Sequence, residues 1–374
     1  MALAMEDSQP IMEESQTTTT TEEKMDAAIR QNPCSVASVD KNGMTVLDLS
    51  SFMLDHVPQS VLLLNSVVKL DLSNNNIEIL PETLSSMANL VSLDVHSNRL
   101  TSLPQSIGKL AKLRHLNASG NLLSALPHTI ENCSSLEELR LDFNELERLP
   151  ESLGFALVYL RTLSVSSNKI CYLPHSTSHM TSLRVLDAHL NKLQTLPEDI
   201  GNLMNLEELN ISSNFNAFVA LPESIGGLCS LRELDLSYNQ ISALPDSFVG
   251  LENLQHLKVE GNPLVVPPLK VTDLGVEAVR EFMAQRLHIK VRVGGGNKSL
   301  LTKFARGIKW GKRNRKKNVE YGIAEYEYRS LEEENDGFGS APPRSPLHQL
   351  MSPLRFFSPR HTPSHPHHFY SPRR

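Results

Sequence analysis

Residues 90–98 read Leu90-Val91-Ser92-Leu93-Asp94-Val95-His96-Ser97-Asn98, and the pattern L-x-x-L-x-L-x-x-N closes again 23 residues later at Asn121. The closing asparagine recurs as Asn75, Asn98, Asn121, Asn144, Asn168, Asn191, Asn214, Asn239 and Asn262, at spacings of 23, 23, 23, 24, 23, 23, 25 and 23 residues. One period earlier Met44, Leu47 and Leu49 keep the register while Phe52 fills the asparagine slot, so ten units run over residues 44–266. A fixed period of this length means that each unit buries its apolar side only against its neighbours.

The spacing dictates local structure. Leu93 and Val95 alternate as in a short strand, with Asp94 and His96 turned to the opposite face. Stacked units make a parallel sheet with a concave outer face. Each asparagine turns inward, where its amide satisfies backbone groups of adjacent turns that would otherwise stay unpaired. Leu-Pro pairs follow at Leu80, Leu103, Leu126, Leu149, Leu173, Leu196, Leu221 and Leu244, and proline holds the residue before it extended at the start of the return. Ile107, Ile200 and Ile225, each before a glycine, are expected beneath that return. The fold class expected is an α/β solenoid, a horseshoe of about ten 23-residue leucine-rich repeats with helical caps and a disordered basic tail.

Two units are longer, one around Gly154 to Tyr159 and one at Phe215-Asn216-Ala217-Phe218-Val219, and insertions in solenoids fall on loops. Open repeat ends expose core, so caps are expected. Thr21 to Gln31 reads as a short helix, and a helix from Thr272 to about Lys290 carries Val276, Val279, Phe282, Met283 and Leu287 as its buried stripe. The organisation is an acidic arm (1–20), an N-terminal cap (21–43), the repeats (44–266), a C-terminal helical cap (267–293) and a basic Ser/Pro-rich tail (294–374).

The net charge of −6 conceals an asymmetry. Residues 294–374 hold 15 basic and 7 acidic side chains, a net +8, leaving −14 for the rest. No run of about 18 apolar residues occurs, so no membrane span is expected. The acidic start lacks the basic-then-apolar build of a secretory signal. Cys34, Cys133, Cys171 and Cys229 lie far apart, without disulfide or zinc spacing. These features fit a cytoplasmic protein, with nuclear entry as a further possibility from the basic tail.

The 23-residue unit L-x-x-L-x-L-x-x-N-x-I-x-x-L-P-x-x-I-G-x-L-x-x-L, with Ile and Leu interchangeable at the I positions, resembles the Ras-group class of intracellular leucine-rich repeat proteins. The exit Gly261-Asn262-Pro263-Leu264, then Pro267-Pro268 and Gly275-Val276-Glu277-Ala278-Val279-Arg280-Glu281-Phe282-Met283, is similar to that group's ending. Within the group the chain looks like the plant intracellular Ras-group-related proteins, which carry Gly-Val-Tyr-Trp after the repeats. Gly307-Ile308-Lys309-Trp310 is similar, with Lys309 in the aromatic position. The resemblance implies an interaction scaffold in signal transduction, a small GTPase as a partner class, and no enzymatic activity or cofactor.

On the concave face one outward column reads Asp71, Asp94, Asn117, Arg140, Ser164, Asp187, Asn210, Asp235, Lys258, and the next Ser73, His96, Ser119, Asp142, Ser166, His189, Ser212, Ser237, Glu260. Exposed aromatic and arginine side chains are the usual interface anchors. The candidate partner-binding residues are Arg140, Asp142 and Phe143 in one unit, then Asp187 and His189, Asp235 and Tyr238, and the pair Asp94 and His96. Against them stands the plainer reading that each is a solvated sheet residue. Aspartate and histidine two apart on a strand share a face without being catalytic. No nucleophile, H-E-x-x-H or phosphate-loop motif occurs, and neither catalysis nor a metal site is expected.

Six of the nine residues Lys309 to Lys317 are basic, which suits nuclear import, contact with nucleic acid or acidic membrane, or docking on the acidic body. The alternative function is therefore a nuclear or nucleic-acid-associated adaptor. Arg306-Gly307-Ile308-Lys309-Trp310 also fits a degenerate pattern by which proteins dock on type-1 protein phosphatase: a basic residue, Val or Ile two on, Phe or Trp two further. The glycine run Gly294–Gly296 reads as a hinge. Ser345, Ser352, Ser358, Thr362 and Ser371 each precede proline, and a phosphate at each would bring about −1.5 to −2 charges against the tail's surplus.

Overall fold

The structure is a computed structural model that describes residues 37–293, apart from residues 42 and 216. The helix read over Thr21–Gln31, the glycine run, the Gly307–Trp310 signature, the basic cluster and the five Ser/Thr-Pro sites lie outside the described residues.

One sheet of eleven strands, in sequential order, carries the repeats. Its strands are β1 Ala37–Val39, β2 Thr45–Asp48, β3 Lys69–Asp71, β4 Ser92–Asp94, β5 His115–Asn117, β6 Glu138–Arg140, β7 Thr162–Ser164, β8 Val185–Asp187, β9 Glu208–Asn210, β10 Glu233–Asp235 and β11 His256–Lys258. From β2 onward every pairing is parallel and unshifted, so Leu70, Leu93, Leu116 and Leu139 stand opposite one another in turn. These leucines are buried, and their flanking residues face out. β1 is different. It pairs antiparallel with β2, Ala37 opposite Leu47, and closes the first edge of the sheet with a strand that the 23-residue period does not contain.

The return after each Leu-Pro is mostly a 3₁₀ turn, as at Glu82–Ser86, Gln105–Lys109 and Glu223–Gly227, entered from an extended proline with ψ of 146°, 147° and 151°. Ile107, Ile200 and Ile225 are buried beneath it. In the 24-residue unit the extra residue lets the return close an α-helical bond, Leu157 N–H to the Leu153 carbonyl at 3.0 Å, giving the short helix α1, Leu153–Ala156. In the 25-residue unit Phe218 is buried in the core while Phe215 and Val219 are exposed.

The asparagines bind the turns together. Asn98 Nδ2 donates to the carbonyls of Leu72 (2.9 Å) and Val95 (3.0 Å), and its Oδ1 accepts the N–H of Ile77 at 3.0 Å. Asn121 repeats this with Val95, Ala118 and Leu100. At Asn239 the Oδ1 accepts the N–H of Asn214 itself, at 2.9 Å.

After the last repeat comes α2, Leu269–Thr272, and then α3, Val276–Val293. The long helix begins four residues later than the apolar spacing suggests. Gly275, at φ +95°, breaks the chain between the two helices. Val279, Met283 and Leu287 are buried, and Val276 and Phe282 pack half-buried against the same core. Arg280 Nη2 donates to the carbonyls of Leu251 (3.1 Å) and Leu254 (3.2 Å), satisfying backbone groups that no further repeat covers.

Candidate partner-binding surface

The three-residue strands fix which side chains face out. Strands β3 to β10 each bury the middle leucine and present the residues on either side, and β11 half-buries Leu257. The column before the leucine therefore joins the two columns read from the sequence. It reads Lys69, Ser92, His115, Glu138, Thr162, Val185, Glu208, Glu233, His256.

The column after the leucine is committed first to the chain's own backbone. Asp94 Oδ1 accepts the N–H of His96 at 3.0 Å, Asp187 that of His189 at 3.2 Å, and Asp235 that of Ser237 at 3.0 Å. Asp71, Asn117 and Asn210 do the same for Ser73, Ser119 and Ser212. Each is an Asx turn that ends its strand. The same carboxylates orient the histidines, with Asp94 Oδ1 and Asp187 Oδ1 each 2.7 Å from the Nδ1 of His96 and of His189. The two pairs stand on β4 and β8, about 19 Å apart at about 4.8 Å per strand, and do not form one site. Asp94 Oδ2 also accepts from Asn117 Nδ2 at 3.1 Å and His96 Nε2 lies 3.4 Å from Asn74 Nδ2, so that pair is engaged on both sides within the sheet.

The series breaks at β6. Arg140 stands where the turn acceptor belongs, and its Nε donates instead to Glu138 Oε1. The next repeat has Ser164 in that slot, and Asp142 reaches across to serve it. Asp142 Oδ1 accepts from Ser164 Oγ (2.5 Å), Ser166 N–H (2.9 Å) and Ser166 Oγ (2.7 Å). Asp142 is thus a cross-strand tie, and Arg140 is released from the structural duty of its column. His115 Nδ1 lies 3.1 Å from Glu138 Oε2. Burial pushes the Glu138 carboxyl up, but the bonds from Arg140 and His115 outweigh it and hold the group below its ordinary value. Asp235 likewise stays below its ordinary value, because Ser237 and Lys258 outweigh its burial.

Phe143 and Tyr238 occupy the slot immediately before the ladder asparagine and are exposed. Every residue in that slot from Asn74 to Gly261 has positive φ, between 52° and 70°. Leu190 holds the same slot and is also exposed; an apolar residue directly before Asn191 was the available signal. Among the described residues no group of three or more His, Cys, Asp or Glu side chains converges as a metal ion requires.

The profile of the leucine rich repeat family matches residues 42–100, 67–123, 88–146, 134–193 and 204–264, together more than half of the chain. The chain belongs to the leucine-rich repeat proteins. No curated protein matches this leucine-rich repeat chain significantly. Among solved structures, the repeat domain of the type III effector XCV3220 (XopL) is 23% identical, covers 68% of this chain and 86% of its own, and superposes with a TM-score of 0.54. The Arabidopsis receptor kinase HAESA, in complex with the peptide hormone IDA and the co-receptor SERK1, is 30% identical over 61% of this chain and 40% of its own, with a TM-score of 0.54. A leucine-rich repeat protein of Leptospira interrogans is 28% identical over 63% of this chain and 75% of its own, with a TM-score of 0.37. No helix among the described residues is long and apolar enough to cross a membrane.

Proposed function

We propose that this leucine-rich repeat protein is an intracellular scaffold in signal transduction that binds a partner protein on its concave face, centred on β6. Leucine-rich repeat proteins generally mediate protein–protein interaction, and no catalytic family is shown for the chain. The observation that carries the reading is the break at Arg140. A run of backbone-capping residues, which Ser164 and Lys258 also interrupt, gives way there to an exposed arginine, held by Glu138 and followed three residues later by exposed Phe143. Arginine and aromatic side chains freed of structural duty are the residues from which interfaces draw most energy. HAESA, which shares the repeat architecture, holds a peptide hormone.

The finer assignments rest on sequence. Resemblance to plant Ras-group-related proteins suggests a small GTPase as the partner class, and the Arg306–Trp310 pattern suggests a type-1 phosphatase. The basic cluster suggests entry to the nucleus as well as a place in the cytoplasm, and phosphorylation at the Ser/Thr-Pro sites would loosen the tail from the acidic repeat body. Affinity purification with the full chain and with the Arg140→Ala/Phe143→Ala variant tests the central claim. The expected result is a protein recovered by the wild type and lost from a variant with an unchanged thermal midpoint. Equal recovery by both would discard the β6-centred surface.

A further inference from the structure

Three residues in the slot before the ladder asparagine are large: Phe143, Leu190 and Tyr238, which are 64%, 41% and 58% exposed. They fall on every second repeat, with Ser167 and Ser213 between them. All five are left-handed, with φ from 52° to 56°. Glycine and asparagine fill the slot at Asn74, Gly120 and Gly261 and tolerate that conformation well, and serine, at Ser97, Ser167 and Ser213, at least adds little bulk to it. Bulky side chains do not, and here burial does not compensate, since all three face solvent. Strain kept at exposed positions points to use.

Their spacing is set by the sheet. Strands β6 to β10 pair without any shift, and the slot residues continue the ladder: Phe143 N–H to Ser166 O at 3.0 Å, Ser167 to His189 at 2.9 Å, Leu190 to Ser212 at 3.1 Å, Ser213 to Ser237 at 2.8 Å, Tyr238 to Glu260 at 2.7 Å. At about 4.8 Å per strand the large residues stand about 9.6 Å apart. A polyproline-II helix returns the same face every three residues, about 9.3 Å. An extended strand returns it after two residues, about 6.8 Å, and falls out of step at once. An α-helix returns it after seven, about 10.5 Å, and is about 2 Å out after two intervals.

Charge selects further. Beside the stripe, on the concave side, lie Asp142, Asp187, Asp235 and Glu260. Lys258 Nζ donates to Asp235 Oδ2 at 3.0 Å, and Arg140 is held by Glu138, so the flank keeps a negative surplus. On the opposite side Lys169 pairs with Glu145, and Lys192 adds one positive charge. We propose that the Phe143–Leu190–Tyr238 stripe seats a polyproline-II segment of a partner protein, with apolar residues three apart on the stripe and basic residues turned to the carboxylates. The proposal rests on the scaffold reading above and names the class of segment that it binds.

The test is fluorescence anisotropy of the full chain with a labelled (Leu-Pro-Arg)₄ peptide, against the same residues reordered so that no two leucines lie three apart. The variant is Phe143→Ser/Leu190→Ser/Tyr238→Ser; serine already occupies this slot at Ser97, Ser167 and Ser213, so the fold is retained. Wild type is expected to prefer the periodic peptide at least tenfold, and the triple variant to lose that preference. Equal binding of the two peptides, or a preference that survives in the triple variant, overturns the proposal. A partner still recovered through Arg140 and Phe143 alongside either result leaves the scaffold reading standing and removes only the polyproline assignment.

Discussion

The ring of Tyr238 lies over the α-carbon of Gly261, where an added β-carbon would sit 2.7 Å from Tyr238 Cδ1. Gly261 also has φ +70°, so Gly261→Ala meets both a conformational cost and a clash. The expected loss is about 2–3 kcal/mol by urea unfolding. At Gly120, φ +65°, the nearest atom to such a carbon is 3.4 Å away, and alanine there should cost only about 1 kcal/mol. Adding Tyr238→Ser to Gly261→Ala should recover the difference. A double variant as unstable as the single one would refute the packing account.

The asparagine ladder should be steeply sensitive to loss of its amide. Asn121 is buried; it donates to Val95 O and Ala118 O at 3.0 and 3.1 Å and accepts from Leu100 N–H at 3.0 Å. Asn121→Ala leaves those groups dry and unpaired, at a cost of about 2–4 kcal/mol. Asn121→Asp should be at least as harmful, since it sets a negative charge among carbonyls. Denaturant midpoints of the two variants check the order.

Arg140→Asn places a turn acceptor where Asn117 and Asn210 already have one. Its thermal midpoint should match or exceed wild type while recovery of the partner falls. A midpoint lowered by more than about 1 kcal/mol equivalent would mean that the Arg140–Glu138 pair is structural after all.

Thr177 fills the return slot that Ile107, Ile200 and Ile225 fill in other repeats, and its buried Oγ1 has no hydrogen-bond partner. Thr177→Val keeps the shape and removes the unsatisfied hydroxyl, so stability should rise by about 1 kcal/mol. Differential scanning calorimetry reads it, and a lower melting temperature would count against an unmet hydroxyl at this position.

The cysteines should react in order of access. Burial pushes the Cys133 thiol up to about 11, and its Sγ–H points to the Ile107 carbonyl at 3.2 Å, whereas Cys229 is exposed. At pH 8 Cys133 is almost wholly protonated and shielded, since thiolate is the reactive form. Among the described cysteines, iodoacetamide followed by mass spectrometry should label Cys229 before Cys133, and Cys133 only once denaturant opens the repeats. Early labelling of Cys133 would contradict the packed return.

What repeats was legible in the sequence. The leucines, the asparagines and the Leu-Pro pairs each recur up to nine times, and the structure gives them one role each. β1 was not legible, because three residues outside the period carry no pattern. The Asx turns were hidden for a different reason. Asp94 and Asp187 look like ordinary polar surface until the N–H two residues on is seen to point at them. The left-handed slot did leave a trace in Asn74, Gly120 and Gly261, residues that accept positive φ, and in the small side chains of Ser97, Ser167 and Ser213. Against that series Phe143, Leu190 and Tyr238 are the exceptions, and only the backbone makes them so.

The antiparallel pairing of β1 with β2 sets a direction at one end of an otherwise uniform stack. Every interior step joins parallel strands, so two molecules meeting end to end through matching parallel edges would continue the sheet into a filament. A neighbour's β11 brought to β1 meets a strand of only three residues that runs the wrong way. Among the described residues, parallel continuation of the repeat is therefore not available at the first strand.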